Sequence, residues 1–290
     1  MATRVTLDTW RERMSEDMRL RDFRPRTQEA YLLVARLFLG WVKKAPEQIA
    51  DDDIRAYFLF LREEKKLAPS SINIALHGLR FFFIHTMHRD WGVFELLRVN
   101  KPRKLPVVLS RGEIRQLLGT VKHPVRRVAL TTIYALGLRL GEGLSLTSEQ
   151  IDSERLIVWL RDAKGAKDRG VPLPRPLLAR LRQYWKTERP ASPTKLLFVP
   201  SGGLARLHDT TIQKTFSAAL AESRIDKHAS VHTLRHSYAT HLLEAGISLR
   251  TIQHALGHKS LRTTELYTHV TQPGAEHLQQ TVDRLMRDLF

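Results

Sequence analysis

The sequence predicts a mainly α-helical protein in two parts: a helical bundle, then a larger unit carrying a small β-hairpin or sheet. Three observations carry that expectation. Across the first hundred residues, apolar positions recur at helical spacing with no strand-like alternation. A stretch rich in proline and basic residues, LRVNKPRKLPVVLS, then breaks the pattern. The clear strand signals, LIVWL and RGVPL, both fall after that break, within residues 155–173. The expected organisation is a helical domain at 1–97, a basic linker at 98–109 and a second domain at 110–290. A chain of 290 residues with 42% apolar content has enough to fill two cores.

Taken in order, residues 6–20 form an amphipathic segment. Thr27 is the expected N-cap of TQEAYLLVARLFLGWV, whose Tyr31, Leu32, Ala35, Leu37 and Phe38 make an apolar stripe. Asp51 to Asp53 favour the start of IRAYFLFLREEKK through the helix dipole. Ser70 or Ser71 is the expected cap of SINIALHGLRFFFIHTM, and four helices with short turns make a small bundle. Phe81, Phe82 and Phe83 are read as core. Ser71, Asn73, His77 and Arg80 recur on the polar side and, with Arg26, are candidate nucleic-acid contacts. In the linker, Pro102 and Pro106 interrupt helix while Lys101, Arg103 and Lys104 suit a chain passing along a phosphate backbone.

The second block opens on a capping box, Ser110 followed by Glu113. The apolar helix VRRVALTTIYALG ends at Gly137, and Arg139 follows in the junction GLRLGEGLSL. A charge so close to a buried helix end needs a partner, and Glu142 is placed to supply one. The hairpin turn DAKGAK, with Gly165, lifts Lys164 and Lys167 off the sheet. Two helices follow, PLLARLRQYWKTE and DTTIQKTFSAALAES; Asp209 is the expected cap of the latter and Lys214 lies on its exposed side, a candidate backbone contact. Residues 231–269 read as three short elements. The first carries His232 and Arg235 three apart, hence on one helical face. The second closes at Gly257, with His258 in the turn after it, and the third carries Tyr267. The tail EHLQQTVDRLMRDLF is amphipathic through Leu278, Val282, Leu285 and Leu289, suited to its own domain or to a neighbouring subunit.

Charge narrows the partner. The net formal charge is +17; residues 1–100 hold 17 basic against 14 acidic residues, which leaves +14 to the remainder. A basic block spread through well-patterned sequence points to nucleic acid. The absence of cysteine excludes disulfides and thiolate metal sites and fits a reducing cytoplasm. MATRVTLDTWRERMSED is charged and amphipathic, unlike a secretory signal, and no apolar run reaches the roughly 18 residues of a membrane span. His232, His236, His241, His254 and His258 are close in sequence, but no HExxH pattern accompanies them and no metal site is expected. Arginine forks suit phosphate, and imidazole moves protons near neutral pH. A phenol with an ordinary pKa of about 10 needs positive surroundings or a base before it attacks.

GLRLGEGLSL, AKGAKDRGVPL, HTLRHSYATHLL and LGHKSLRTTELYTH, in that order and spacing, resemble the signature blocks of the tyrosine recombinase (phage integrase) family, in its Xer-like bacterial branch. The resemblance covers most of the chain. It implies a core-binding domain for the helical block and a catalytic domain from about residue 107 onward. By position it carries the family's catalytic set onto Arg139, Lys164, His232, Arg235, His258 and Tyr267, with Glu142 in support. One departure is visible: Gly141 stands where relatives often have Ser, and a looser turn around Arg139 is expected.

The resemblance further implies cleavage and rejoining of DNA through a 3′-phosphotyrosyl intermediate and a Holliday junction, with no ATP, metal or other cofactor. Its implied partner is double-stranded DNA with inverted half-sites, bound by a protein that is monomeric in solution and tetrameric on two sites, with or without a second recombinase. Two other activities stay open at this point: a nicking-closing enzyme that relaxes DNA, and a catalytically silent DNA-binding accessory protein.

Overall fold

Proline sets where several helices of this chain begin. Its fixed backbone angle suits the first helical turn, where its missing N–H has no intrahelical partner to lose. In a computed structural model, which describes residues 9–89, 92–96, 106–160 and 168–257, α2 (Pro25–Val42) and α4 (Pro69–Phe81) both start on proline. Their N-cap positions are therefore Arg24 and Ala68, so the expected caps Thr27, Ser70 and Ser71 lie inside the first turn instead. α1 (Thr9–Arg19), α3 (Asp51–Leu59) and α5 (Val93–Leu96) complete the first unit among the described residues. Asp53 works from inside α3, its carboxylate accepting the Ala50 N–H at 2.9 Å. Wide π turns, Phe60–Glu64 and Phe82–Thr86, extend α3 and α4.

The chain divides into two compact units, Met1–Arg103 and Lys104–Phe290. The first has an aromatic core in which Phe38, Phe82 and Phe83 are fully buried. Phe38 meets Tyr57 edge-on at 4.9 Å, Phe82 meets Phe83 at 4.9 Å and Trp10 meets Phe82 at 5.7 Å. Leu37 is not part of this core. Six residues after Tyr31 it has turned away from the stripe, and Leu39 packs inward in its place. The opposite face of α4 is wet: Ser71, His77 and Arg80 are exposed and Asn73 is half-buried.

The second unit is mainly helical and includes a three-stranded antiparallel sheet of β1 (Ile151–Asp152), β2 (Ile157–Leu160) and β3 (Arg169–Pro172), in that order. Val158 lies opposite Val171, both fully buried, so one face of the hairpin joins the core. β1 is two residues long, too short to leave an alternating pattern. The helices are α6 (Arg111–Thr120), α7 (Pro124–Ala135), α8 (Leu140–Leu144), α9 (Arg175–Thr187), α10 (Asp209–Glu222), α11 (Val231–Glu244) and α12 (Leu249–Leu256). Ser110 caps α6 as expected: Glu113 N–H donates to its hydroxyl at 3.2 Å, and Ser110 N–H donates to the Glu113 carboxylate at 2.7 Å. His208, not Asp209, caps α10, its Nδ1 accepting the Thr210 N–H, while Asp209 pairs with Arg206 at 2.6 Å. No helix among the described residues is long and apolar enough to cross a membrane.

Removing the Phe83 ring leaves a void among Phe38, Phe82 and Phe94. Phe83→Ala is expected to cost about 3–5 kcal/mol in urea unfolding. A loss below about 1 kcal/mol would place that ring outside a close-packed core.

Candidate active site

Helix ends, rather than helix faces, assemble the polar centre of the second unit. α7 stops at Gly137, which takes a left-handed conformation (φ 60°) with its carbonyl turned toward α11. A Cβ there would lie 2.4 Å from the Tyr238 ring, so backbone and packing both demand glycine. The chain then reverses through Arg139 into α8. α12 likewise stops on Gly257 (φ 64°), with its last carbonyls facing the same centre. α11 is fixed behind both: its Ser237 hydroxyl accepts the Leu109 N–H at 2.9 Å and donates to the Thr233 carbonyl at 2.8 Å.

Glu142 is the hub. One carboxylate oxygen accepts Arg139 Nη1 at 2.6 Å; the other accepts the Arg139 main-chain N–H at 2.8 Å and Arg169 Nη2 at 2.9 Å. Arg235 Nη1 stands 3.7 Å from that second oxygen. Burial pushes the Glu142 carboxyl up, but the Arg139 N–H, the charge of Arg169 and the Arg139 side chain outweigh it and hold the group below its ordinary range. Three guanidinium groups around one carboxylate leave a net positive site, which suits an anion.

The same arginines close the end of α12. Its terminal carbonyls lack intrahelical donors and sit at the negative end of the helix dipole. Ala255 O accepts Arg169 Nε at 3.2 Å, Leu256 O accepts Arg235 Nη2 at 2.6 Å and Gly257 O accepts Arg139 Nη2 at 3.2 Å. Arg235, only 1% exposed, also donates to the Gly137 carbonyl at 2.8 Å. A charge so buried is tolerable only with this density of acceptors. Arg139 keeps 41% of its side chain exposed, so it remains accessible from solvent.

His232 is exposed to solvent as a residue, yet partial burial, then the charges of Arg235 and Arg139, hold its imidazole below the ordinary histidine range. A neutral imidazole can accept a proton. His236 meets it edge to face at 4.4 Å and belongs to the same polar cluster. His241 lies apart, its Nδ1 2.9 Å from the Tyr134 hydroxyl.

The structure brings together Arg139, Glu142, His232 and Arg235; spacing alone pairs Arg139 with Glu142 and puts His232 and Arg235 on one helical face. It adds Arg169, which had not been singled out. Alternation along β3 could have found it: two positions before buried Val171, Arg169 points to the same inward face and is 6% exposed. A Cβ at Gly141 would meet nothing within 4 Å, and the contacts between Arg139 and Glu142 form without a side chain there. Lys214 is exposed on α10, and Arg26 is exposed in the first turn of α2. Lys101, Arg103, Lys104, Lys164, His258 and Tyr267 lie outside the described residues.

The Phage integrase family matches residues 108–273, and the family's N-terminal SAM-like domain matches residues 10–93. y4qK of Sinorhizobium fredii, a predicted integrase/recombinase, is 44% identical over 90% of this chain and 84% of its own length. The tyrosine recombinase XerA of Pyrococcus furiosus is 35% identical over 78% of both chains. Among solved structures, XerA recombinase aligns with a TM-score of 0.54 at 27% identity, covering 94% of this chain and 98% of that one. A lambda integrase tetramer bound to a Holliday junction shares the fold, with a TM-score of 0.75 at 20% identity over 92% of this chain and 78% of that one.

The histidine cluster has a consequence for stability. Burial, then His232 and Arg235, press the His236 imidazole from its ordinary 6.5 down to about 4. The unfolded chain binds a proton there below about 6.5 and the folded chain does not, so stability rises with pH between about 4 and 6.5. His236→Asn is expected to flatten that rise in unfolding midpoints taken across the window. His232 and His241, also held low, leave a residual slope. An unchanged slope would mean that His236 carries none of it.

Proposed function

This chain belongs to the phage integrase family, and on that premise we propose that Arg139, Lys164, His232, Arg235, His258 and Tyr267 form its strand-transfer site, with Glu142 in support. The protein is a tyrosine-type, site-specific DNA recombinase. The observation that carries the site assignment is the meeting of the Arg139 and Arg235 guanidinium groups at Glu142, within reach of His232.

The chemistry follows from those groups. Arg139 and Arg235 grip the non-bridging oxygens of the scissile phosphate, where charge builds as the phosphorus is attacked; donors preorganised in this way are each worth about 10²–10³ in rate. The Tyr267 oxygen attacks phosphorus, and His232 takes the phenolic proton. The bond to the 5′-oxygen breaks, Lys164 protonates that leaving oxygen and the 3′ end stays on Tyr267. His258 donates to the phosphate. A 5′-hydroxyl from the partner strand then attacks the phosphotyrosine and releases Tyr267. One exchange makes a Holliday junction and a second resolves it; the phosphoester energy is conserved, so ATP is not needed.

The other tyrosines support the choice of nucleophile. The chain has six, and burial raises the phenol of every one of the five outside this motif: Tyr31, Tyr57, Tyr134, Tyr184 and Tyr238. A raised phenol is a poor source of phenolate.

The rest of the chain is assigned to DNA. Residues 1–97 act as the core-binding domain through Arg26, Ser71, Asn73, His77 and Arg80 on its wet faces. Residues 98–109 track the backbone with Lys101, Arg103 and Lys104. Residues 110–290 form the catalytic domain, where Lys214 adds a backbone contact. The site bound is double-stranded DNA with inverted half-sites; the protein is monomeric when free and tetrameric on two sites, and can work with a second recombinase. XerH has been solved on its difH substrate and lambda integrase as a tetramer on a Holliday junction. The cytoplasm, at the nucleoid, is the matching location.

On a suicide site with a nick beside the cleavage point, the protein is expected to form a covalent adduct that Tyr267→Phe abolishes. An adduct that persists in the variant would show that the nucleophile is another residue. Lys164→Ala is expected to slow cleavage, with recovery when the 5′-bridging oxygen is replaced by sulfur, a better leaving group. No recovery would remove Lys164 from the proton transfer.

A further inference from the structure

We propose that Arg169 is a positioning residue for strand cleavage: it ties Glu142 to the end of α12 and so sets Arg139 and Arg235 at the separation that grips one phosphate. The inference rests on the recombinase site described above and adds a residue that touches no substrate atom.

Four observations carry it. Arg169 is 6% exposed, and its fork joins two elements distant in sequence, donating from Nη2 to Glu142 and from Nε to the Ala255 carbonyl. Gly257 is shaped around it: a Cβ at that position would lie 2.9 Å from Arg169 Nη1. The three arginines take consecutive α12 carbonyls, so a shift of Arg169 is felt by the next two. Finally, Arg169 opens β3, five residues after Lys164 in the sequence.

Charge explains why an arginine is needed there. Glu142 orients Arg139 through two hydrogen bonds, but a bare carboxylate beside a bound phosphate repels it. Arg169 offsets that charge from the side away from solvent, leaving the positive charge of Arg139 and Arg235 for the phosphate. A buried ion pair is a poor device for stability alone, because apolar replacements often serve as well. Without Arg169, the second oxygen of Glu142 would keep the Arg139 N–H and draw Arg235 in from 3.7 Å, away from the ligand side.

The test compares full-length wild type, Arg169→Ala and Arg169→Lys in single-turnover adduct formation on the suicide site at saturating DNA, alongside DNA affinity, thermal unfolding and a pH profile. Arg169→Ala is expected to cleave about tenfold or more slowly, as a misplaced clamp does, with DNA affinity essentially kept. Its acid limb is expected at higher pH, because one of the charges holding the Glu142 carboxyl down has gone. Arg169→Lys keeps the charge and loses the fork, and is expected to fall between the two. Wild-type cleavage by Arg169→Ala, or a loss that only follows its folded fraction with the acid limb unmoved, would overturn the proposal. Should the alanine variant not fold, the lysine variant decides: wild-type cleavage there refutes a need for the fork. Wild type that forms no adduct would instead sink the functional reading, and this inference with it.

Discussion

One carboxylate organises the polar centre of this protein. Glu142 has nitrogens of Arg139, Arg169 and Arg235 within 4 Å, and the same three side chains close the carbonyl end of α12. Neither half would be stable alone. Three guanidinium groups without an anion would repel one another, and a helix end buried without donors would strand its carbonyls. Together they form a net positive site held by elements that the core has already fixed. The apolar packing of α7, the sheet and α11 thus decides where the charges stand, through Ile133, Val171 and Leu234.

The arrangement also separates two duties that arginine is asked to perform. Arg235 and Arg169 are buried and spend donors on main-chain carbonyls, which makes them rigid. Arg139 is anchored by Glu142 yet keeps much of its side chain exposed to solvent. An anion arriving here would meet groups whose orientation is settled beforehand, and little reorganisation would be needed to bind it. Burial and the neighbouring arginines hold His232 below the ordinary histidine range, which favours its neutral form.

Much of this could be read from the sequence, and the failures have physical causes. The pairing of Arg139 with Glu142 followed from their spacing across a helix start, and the stops at Gly137 and Gly257 followed from glycine's access to left-handed backbone. The caps Thr27, Ser70, Ser71 and Asp209 were misplaced by one to three residues. Proline at the first turn of α2 and α4, and the ring of His208 before α10, set those boundaries instead. Leu37 counts as apolar in any stripe, yet the helical period turns it outward. Arg169 escaped because strand alternation is usually searched for apolar residues, and a guanidinium that faces inward has no signature until its acceptors, far along the chain, are in place.

The claim beneath the functional reading is that Arg139 and Arg235 share one phosphate. The most direct measurement is a structure of the Tyr267→Phe protein bound to its uncut DNA site. The account predicts the scissile phosphate between those two guanidinium groups, each within hydrogen-bond reach of a non-bridging oxygen. A scissile phosphate bound away from both arginines, with Glu142 and the end of α12 still holding all their donors, would contradict it.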